Sequence, residues 1–480
     1  MNDEADPATP REGVRIRDRD VHVRSPTHAL ALDCLTAGID AAHPRRVVHE
    51  SIEFEGNVLR IDETEYDLSD YEELVVLGGG KATATVTVEL ETILGDRITD
   101  GVIVTNDPRE TDHVQVETAS HPVPDEAGVA GGRAVLDRAT TCGARTLVLG
   151  VITGGASALL PAPAGNIGLP ELQETTSALL EAGATIDEIN AVRKHLSAIK
   201  GGRLAAALGT EAEGSPDVAC LLCSDVVGDD PGTIGSGPLV PDETTFEDAL
   251  DVVDRYDLDV PSMVRDRLDR GVAGEIPETP KPGDPIFDRV SIHLLASSLS
   301  ACLAARDAAS GISGADSNTP TRTDGEAIVL SSRIRGEAAE AAISAAGIAE
   351  EIVASGNPIE PPAVVVSGGE TTVSVTESGE GGPNQEFALS AALELDVSGV
   401  VVAAVDTDGI DGPTEYAGAI VSAETVSADG PITPAEAAHA LATNDVTPPL
   451  ERASATIETG KTGTNVNDLR VIVVPEDAGE

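Results

Sequence analysis

Tryptophan is absent from the 480 residues, and aromatic residues make up 2%. Only five lysines occur: Lys81, Lys194, Lys200, Lys281 and Lys461. A general nucleic-acid surface is excluded, because phosphate backbones need clustered cations. The same scarcity argues against an anionic membrane surface. No run of 18 apolar residues exists, so no membrane span is expected. The five cysteines are odd in number, and no signal peptide precedes them, which fits the reducing cytoplasm. Cys220 and Cys223 match CxxC, but they sit in the apolar run VACLLC, a strand pattern. Residues three apart on a strand point to opposite faces, so core cysteines fit better than a zinc site or a disulfide. The nine histidines form no HxxxH or HxH pair, so no zinc site is supported. No GxSxG elbow occurs either.

What is present in excess is acid: 83 Asp and Glu against 31 Lys and Arg, a formal net charge of -52. Such chains suit a salt-accumulating cell, where self-repulsion is screened within a few Å. The hydrophobic share of 41% and the apolar runs along the chain predict a folded protein of two or three domains. Residues 1–25 are charged and aperiodic and read as a mobile tail. Beyond them strands and helices alternate: THALALDCLTAGIDAAH is helical, and ELVVL, GVIVT, RTLVLGVI and VACLLC are strands. The Pro/Gly-rich stretch GEIPETPKPGDPIF marks a boundary near residue 285. After it come VSIHLLAS, EAIVLSS, VVVSGGETTVSV (read as two strands, close enough to be antiparallel), the helix QEFALSAALEL, and the strands GVVVAAVDTDG and LRVIVV. Alternation predicts an α/β fold with a parallel sheet, and a second unit whose sheet is mixed.

Several strands end in Gly-rich or polar loops, where open α/β sheets bind ligands. GGGKA (78–82) brings Gly79, Gly80 and Lys81 to a helix start, a place that favours anions. It is not GxGxxG, since Thr83 takes the last glycine position. Four of the five lysines lie in polar, Gly-bearing segments, which favours Lys81 as a phosphate contact over a solvated turn lysine. TGGAS offers Gly154, Gly155 and Ser157 as an anion nest, or as a plain turn. INAVRKHLSAIKGGRLA reads as a helix whose Asn190, Arg193, Lys194 and Ser197 lie three or four apart. It is a cationic patch for a carboxylate or phosphate, or else a surface face paired to acids. SDVVGDDPGTIGSGPLVPD carries Asp225, Asp229 and Asp230, able to hold Mg²⁺ or take a proton, against a solvated acidic loop. DTDGIDG fails the EF-hand spacing, since Gly409 is its fourth residue and Ala417 its twelfth.

Taken together, VLGGGKA, ITGGASALL, INAVRKHLSAIKGGRLA, SDVVGDDPGTIGSGPLVPD, VVVSGGETTVSV, GGPNQEFALSAAL, DTDGIDGPTEYAGAIV and TGKTGTNVNDL resemble a glycerate 2-kinase of the MOFRL family over residues 75–470. The resemblance implies two α/β domains: a larger Rossmann-like domain over 26–285 and a smaller mixed-sheet MOFRL domain over 286–478. The active site is then expected in the cleft between them. It implies transfer of the ATP γ-phosphate to the 2-hydroxyl of D-glycerate, with Mg²⁺. Lys81, the 154–157 loop, Asn190, Arg193, Lys194, Lys200, Asp225 and Asp229 match its motifs in the first domain. Glu370, Asn384, Glu386, Asp406, Asp408 and Asp411 match in the second. In many relatives an arginine precedes Asn-Gln-Glu; here Pro383 stands there, so either another arginine substitutes, with Arg193, Arg203 and Arg333 as candidates, or phosphate is positioned differently.

The expected division of labour follows phosphoryl transfer, which needs positioning and charge compensation. Lys81 and glycine amides hold the triphosphate, with Ser157 and Ser236 lining the phosphate side. Arg193 or Lys194 clamps the carboxylate, and Asp225, ahead of Asp229 and Asp408, accepts the hydroxyl proton. Asp229, Asp408 and Asp411 are the metal candidates. D-Glycerate and ATP are the expected partners, with a homodimer left open. The rivals are a hydroxypyruvate reductase-type oxidoreductase, a non-catalytic nucleotide or metal sensor, and a kinase of a related hydroxy acid. Against the oxidoreductase, Thr83 breaks the dinucleotide fingerprint, and Glu89 and Glu91 fall too early for a ribose contact.

Overall fold

A computed structural model of the chain describes residues 13–209, 214–310, 325–376 and 378–479. They divide into two compact units, Pro44–Ala296 and Met1–His43 with Ser297–Glu480. The first unit is built on six strands: β1 (Glu73–Gly79), β2 (Asp100–Thr105), β3 (Gln115–Thr118), β4 (Thr146–Thr153), β5 (Asp217–Cys223) and β6 (Val290–Ala296). Every pairing is parallel, and the order is β3-β2-β1-β4-β5-β6. β4 is buried along its whole length, TLVLGVIT, as a strand covered by helices on both faces must be. Each fully buried Leu, Val or Ile there contributes about 1.5–3 kcal/mol. Strand order reverses direction between β1 and β4, the switch point at which doubly wound sheets leave a crevice beyond the strand ends. An antiparallel meander over residues 52–67 completes this unit.

The second unit carries β7 (Glu326–Glu337), β8 (Ala363–Thr372), β9 (Val401–Asp406), β10 (Gly418–Ser422), β11 (Thr456–Ile457) and β12 (Asp468–Val474). Their order is β7-β8-β12-β9-β10-β11, with β7–β8 parallel and the other pairings antiparallel. The expected parallel and mixed sheets are both found. β12, the chain's last strand, enters the middle antiparallel to β8 and β9, and β10 and β11 extend the sheet antiparallel beyond it. VVVSGGETT is one strand rather than two, running through Gly368 and Gly369. The Gly369 φ of +134° lets the backbone pass within a Cβ's distance of Ile334.

Two boundaries differ from the sequence reading. VSIHLLA, placed after the 285 break, is the edge strand β6 of the first unit, because Val290–Ala296 pairs with Val218–Cys223. The helix Pro26–Ala41 belongs instead to the second unit. Its Gly38 sits so close to Ala301 and Leu469 that a Cβ would fall 2.9 Å from the Ala301 carbonyl. Residues 1–12 of the expected tail lie outside the described residues. Residues 13–25 are held: Ile16 is buried, Arg17 pairs with Glu458, and Arg24 donates to the Ser454 carbonyl at 2.9 Å. All five cysteines are buried free thiols; burial pushes Cys220 and Cys223 up to about 12.

Candidate active site

The loops after β1 and β4 are tied together at the switch point. Lys81 N–H donates to the Gly154 carbonyl at 2.8 Å, and Ala82 N–H to Thr153 Oγ1 at 3.1 Å. Gly80 has a φ of +138° and lies on Thr153, where a Cβ would meet Oγ1 at 2.1 Å. Only glycine permits this stitch. Thr83, which breaks the dinucleotide fingerprint, opens the helix Thr83–Leu94, and its Oγ1 lies 3.3 Å from Thr153 Oγ1.

The half-buried Lys81 lies against Gly155, its Cγ 3.0 Å from where a Cβ there would stand. From the loop after β5, Asp225 packs on Gly154, its Oδ2 2.3 Å from the corresponding Cβ position. Burial pushes the Asp225 carboxyl up, against the opposing pull of the Lys81 charge and the Gly155 N–H bond. Lys81, Gly154, Gly155 and Asp225 therefore meet. His121, which sequence reasoning missed, joins them: its ring lies 3.0 Å from the Gly155 Cβ position. Burial first, and then Lys81, pushes this imidazole down. Its only sequence signal is a histidine in a turn, SHPVPD, after a strand.

A second cluster continues from the first along the chain. Ser236 Oγ donates to Asn190 Oδ1 at 2.8 Å, so the 2.8 Å bond between Ser157 and Ser236 has Ser157 as donor. Asn190 Nδ2 is buried without a partner. Arg193 follows Asn190 by one helical turn on the helix Ile186–His195, and burial pushes its guanidinium down. Lys200 Nζ reaches only the Leu160 carbonyl, at 3.4 Å, among the described residues.

The helix expected over 189–205, with an end or kink at Gly201 and Gly202, is two helices, and the break starts earlier, after His195. Ile186–His195 ends, a turn follows in which Ser197 Oγ accepts from the N–H groups of Ile199 and Lys200, and Arg203–Leu208 begins after Gly201 and Gly202 at φ +57° and +74°. The break sorts the cations. Lys194 points away from Arg193 and donates to Asp242 Oδ1 at 3.1 Å, so its charge is already paired. Arg203 lies near Asp242 and Glu278, and Arg333 is exposed on β7. Of the three substitute arginines, Arg193 is the one beside Asn190 and Lys200. Asp229 holds a left-handed φ of +59°, and its Oδ1 is buried without a partner.

In the second unit Asp411 is committed to structure. Its Oδ1 accepts from Asn384 N–H at 2.9 Å and Nδ2 at 3.2 Å, its Oδ2 from Gln385 N–H at 2.9 Å and Nε2 at 3.0 Å. These bonds anchor the start of the helix Pro383–Glu394, and Pro383 occupies its first position, where no N–H is needed. Asn384 Nδ2 also donates to Asp468 Oδ1 at 2.7 Å, and Glu386 accepts from Asn444 at 2.9 Å. Burial pushes Glu386 up. Glu370 is exposed at the end of β8. Asp408 accepts from Ile410 N–H at 2.8 Å, and Asp406 is pushed well up by burial and then by Asp408, Asp468 and Asp411. Asp468 and the fully buried Arg470, both unforeseen, pair beneath this cluster. Among the described residues no group of three or more His, Cys, Asp or Glu side chains could hold a metal ion.

Residues 30–269 match a family model described as a domain of unknown function, DUF4147, and residues 363–468 match the MOFRL family. A glycerate 2-kinase of Pyrococcus horikoshii is 36% identical, aligned over 94% of this chain and 98% of its own. An Agrobacterium vitis protein carrying a hydroxypyruvate reductase name is 37% identical over 83% of this chain and 99% of its own. The crystal structure of a glycerate kinase from Thermotoga maritima superposes with a TM-score of 0.78 at 34% identity, covering 93% of this chain and 99% of that one.

Proposed function

The chain belongs to the MOFRL glycerate 2-kinase family, and from that membership we propose that it transfers the γ-phosphoryl group of ATP to the 2-hydroxyl of D-glycerate, giving 2-phosphoglycerate and ADP. The observation that carries the assignment of the site is the meeting of Lys81 and Asp225 on Gly154–Gly155 at the switch point.

Lys81 and the amides of the 79–82 and 154–157 loops hold the phosphates, supplying fixed positive partners where charge shifts to the leaving oxygen. Arg193 faces the acceptor's carboxylate. Asp225 accepts the hydroxyl proton as the oxygen bonds to phosphorus and the bond to the ADP oxygen breaks; a carboxylate raised toward neutrality is the better base. Asp229 fits a divalent cation, because its Oδ1 is buried and unsatisfied and Mg²⁺ binds through one or two carboxylates plus phosphate and water. Such an ion would neutralise charge on the phosphates. Lys194, Asp411 and Asp408 play supporting parts, through Asp242, the helix at Asn384 and the Ile410 turn.

Two carboxylates weigh against the reductase reading. Glu89 is paired to Arg45 at 2.7 Å and to His49 at 2.8 Å, and Glu91 accepts the N–H groups of Asp112 at 2.8 Å and His113 at 2.9 Å. Neither is free for a ribose. The charge of -52 favours the cytoplasm of a salt-accumulating cell. The test is ³¹P NMR of the product from ATP, Mg²⁺ and D-glycerate in molar KCl. 2-Phosphoglycerate with ADP is expected. NADH consumption with hydroxypyruvate and no ADP release would overturn the reading.

A further inference from the structure

Lys200 is an amine with almost nothing to hold its proton. It is 5% exposed, its single bond is a long one to a carbonyl, and no carboxylate faces it among the described residues. The charged group packed near it is Arg193, a like charge. Yet the surroundings are polar and organised. Gly201 N–H donates to the Ser236 carbonyl at 3.0 Å, while the Ser236 hydroxyl reaches Asn190, so the Lys200 turn and the Asn190 helix converge on one residue. Asn190 is 4% exposed, with Nδ2 unpartnered. Asn190 Nδ2 and the partly buried Arg193 guanidinium thus have no acceptor among the described residues, and Lys200 has only the Leu160 carbonyl. Buried donors need an acceptor, and the two cationic side chains beside Asn190 make an anion the best-matched one.

We propose that this donor cluster is a second anion subsite, apart from Lys81, that takes the carboxylate of the acceptor, and that Lys200 enters the complex as ammonium by binding a proton together with that anion. The inference rests on the kinase reading above. The step balances: the neutral amine, one proton and the carboxylate give an ammonium–carboxylate pair.

Without the anion, burial and then Arg193 push Lys200 down to about 7. An entering carboxylate reverses the sign of the local field and restores the proton. Three donors suit a two-oxygen anion, and the triphosphate already has its contacts at Lys81 and the glycine amides. Linkage then makes acceptor binding weaken as pH rises above about 7, approaching tenfold per unit while the free amine is neutral. A merely structural lysine gives no such slope.

The test measures kcat and both KM values from pH 6 to 9 in molar KCl. The wild type is expected to show a D-glycerate KM that climbs above about pH 7 while the ATP KM stays level. Lys200→Arg, charged at every pH, flattens the climb. Lys200→Met raises the D-glycerate KM at least tenfold at pH 7 and leaves the ATP KM in place. A D-glycerate KM level from pH 7 to 9 in the wild type overturns the proposal, as does an effect of Lys200→Met confined to ATP. Should neither variant fold, calorimetry of D-glycerate on the wild type at pH 8 in HEPES and in Tris decides. A binding heat that follows the buffer's ionisation enthalpy supports proton uptake, and one that ignores the buffer refutes it. Absence of ADP formation by the wild type defeats the kinase reading instead, a separate result.

Discussion

Lys194 Nζ donates to Asp242 Oδ1 at 3.1 Å with both side chains buried, so two adjacent cations on one helix have different tasks. Lys194→Met leaves a buried carboxylate unpaired and is expected to cost about 3–5 kcal/mol, read as a large fall in Tm. Burial pushes the Asp242 carboxyl up, but the Lys194 charge and the Thr244 and Lys194 bonds outweigh it and hold it below its ordinary value. A depressed carboxyl stabilises the fold above its unfolded pKa, near 4, and that contribution disappears as pH falls through the lower folded value. Asp242→Asn should therefore lose the part of the acid-unfolding profile that lies below about pH 4. A raised D-glycerate KM in Lys194→Met with Tm unchanged would return this lysine to the substrate.

Lys81 differs because its side chain rests on backbone and is not locked to an acid by any bond described above. Lys81→Ala is expected to lower kcat at least ~100-fold, the scale of losing one preorganised donor to developing charge. Stability should fall by only about 1 kcal/mol, since the half-buried side chain opposes the burial of Asp225 but makes no bond to it described above. Steady-state rates beside a urea titration read both quantities. Near-normal turnover would remove Lys81 from the phosphate site.

Much of this was legible because it is local. The strand runs ELVVL, GVIVT, RTLVLGVI and VACLLC each became a strand of the parallel sheet, and the loops that follow three of them form the site. Spacing could place Asn190, Arg193 and Lys194 on one helix, but not choose which cation meets Asp242, 48 residues onward. That choice depends on the turn at Ser197, set by long-range bonds to the 160–164 segment. His121 was hidden for the same reason, since a turn histidine acquires meaning only when Gly155 and Lys81 come to it. Arg470 did leave a trace, a lone cation inside LRVIVV, whose burial is offset by Asp468 and by a guanidinium 4.7 Å from the Phe387 ring centroid.

Asp411 should behave as an anchor for the helix that begins at Pro383. Asn in its place keeps one acceptor oxygen and turns an NH₂ toward the Gln385 donors, so Asp411→Asn is expected to cost about 1–3 kcal/mol. Burial pushes this carboxyl up to about 6 despite four N–H bonds. With the folded value raised, stabilisation is fullest below the unfolded pKa near 4 and is lost as pH rises through about 6. The stability gap between wild type and Asp411→Asn should accordingly narrow from pH 4 to pH 7. Chemical denaturation at both values measures it. A gap that widens with pH would mean that the N–H bonds dominate, and that Asp411 is ionised throughout.

The formal charge of -52 predicts that salt contributes to the fold's stability. Lowering KCl from about 1 M to 0.1 M lengthens the screening distance from about 3 to 10 Å. Surface ion pairs such as Arg60 with Glu65 at 2.6 Å strengthen at low salt, but exposed pairs are worth at most about 1 kcal/mol each. The 83 acids so outnumber the 31 cations that most carboxylates have only like charges to meet once screening is withdrawn. Repulsion should therefore win, and Tm should fall steadily as KCl is removed. Sucrose, which strengthens burial by exclusion without screening charge, separates the two causes. It should restore only part of the lost Tm at 0.1 M KCl. Full recovery in sucrose, or a Tm indifferent to KCl, would show that the acidic excess does not govern stability.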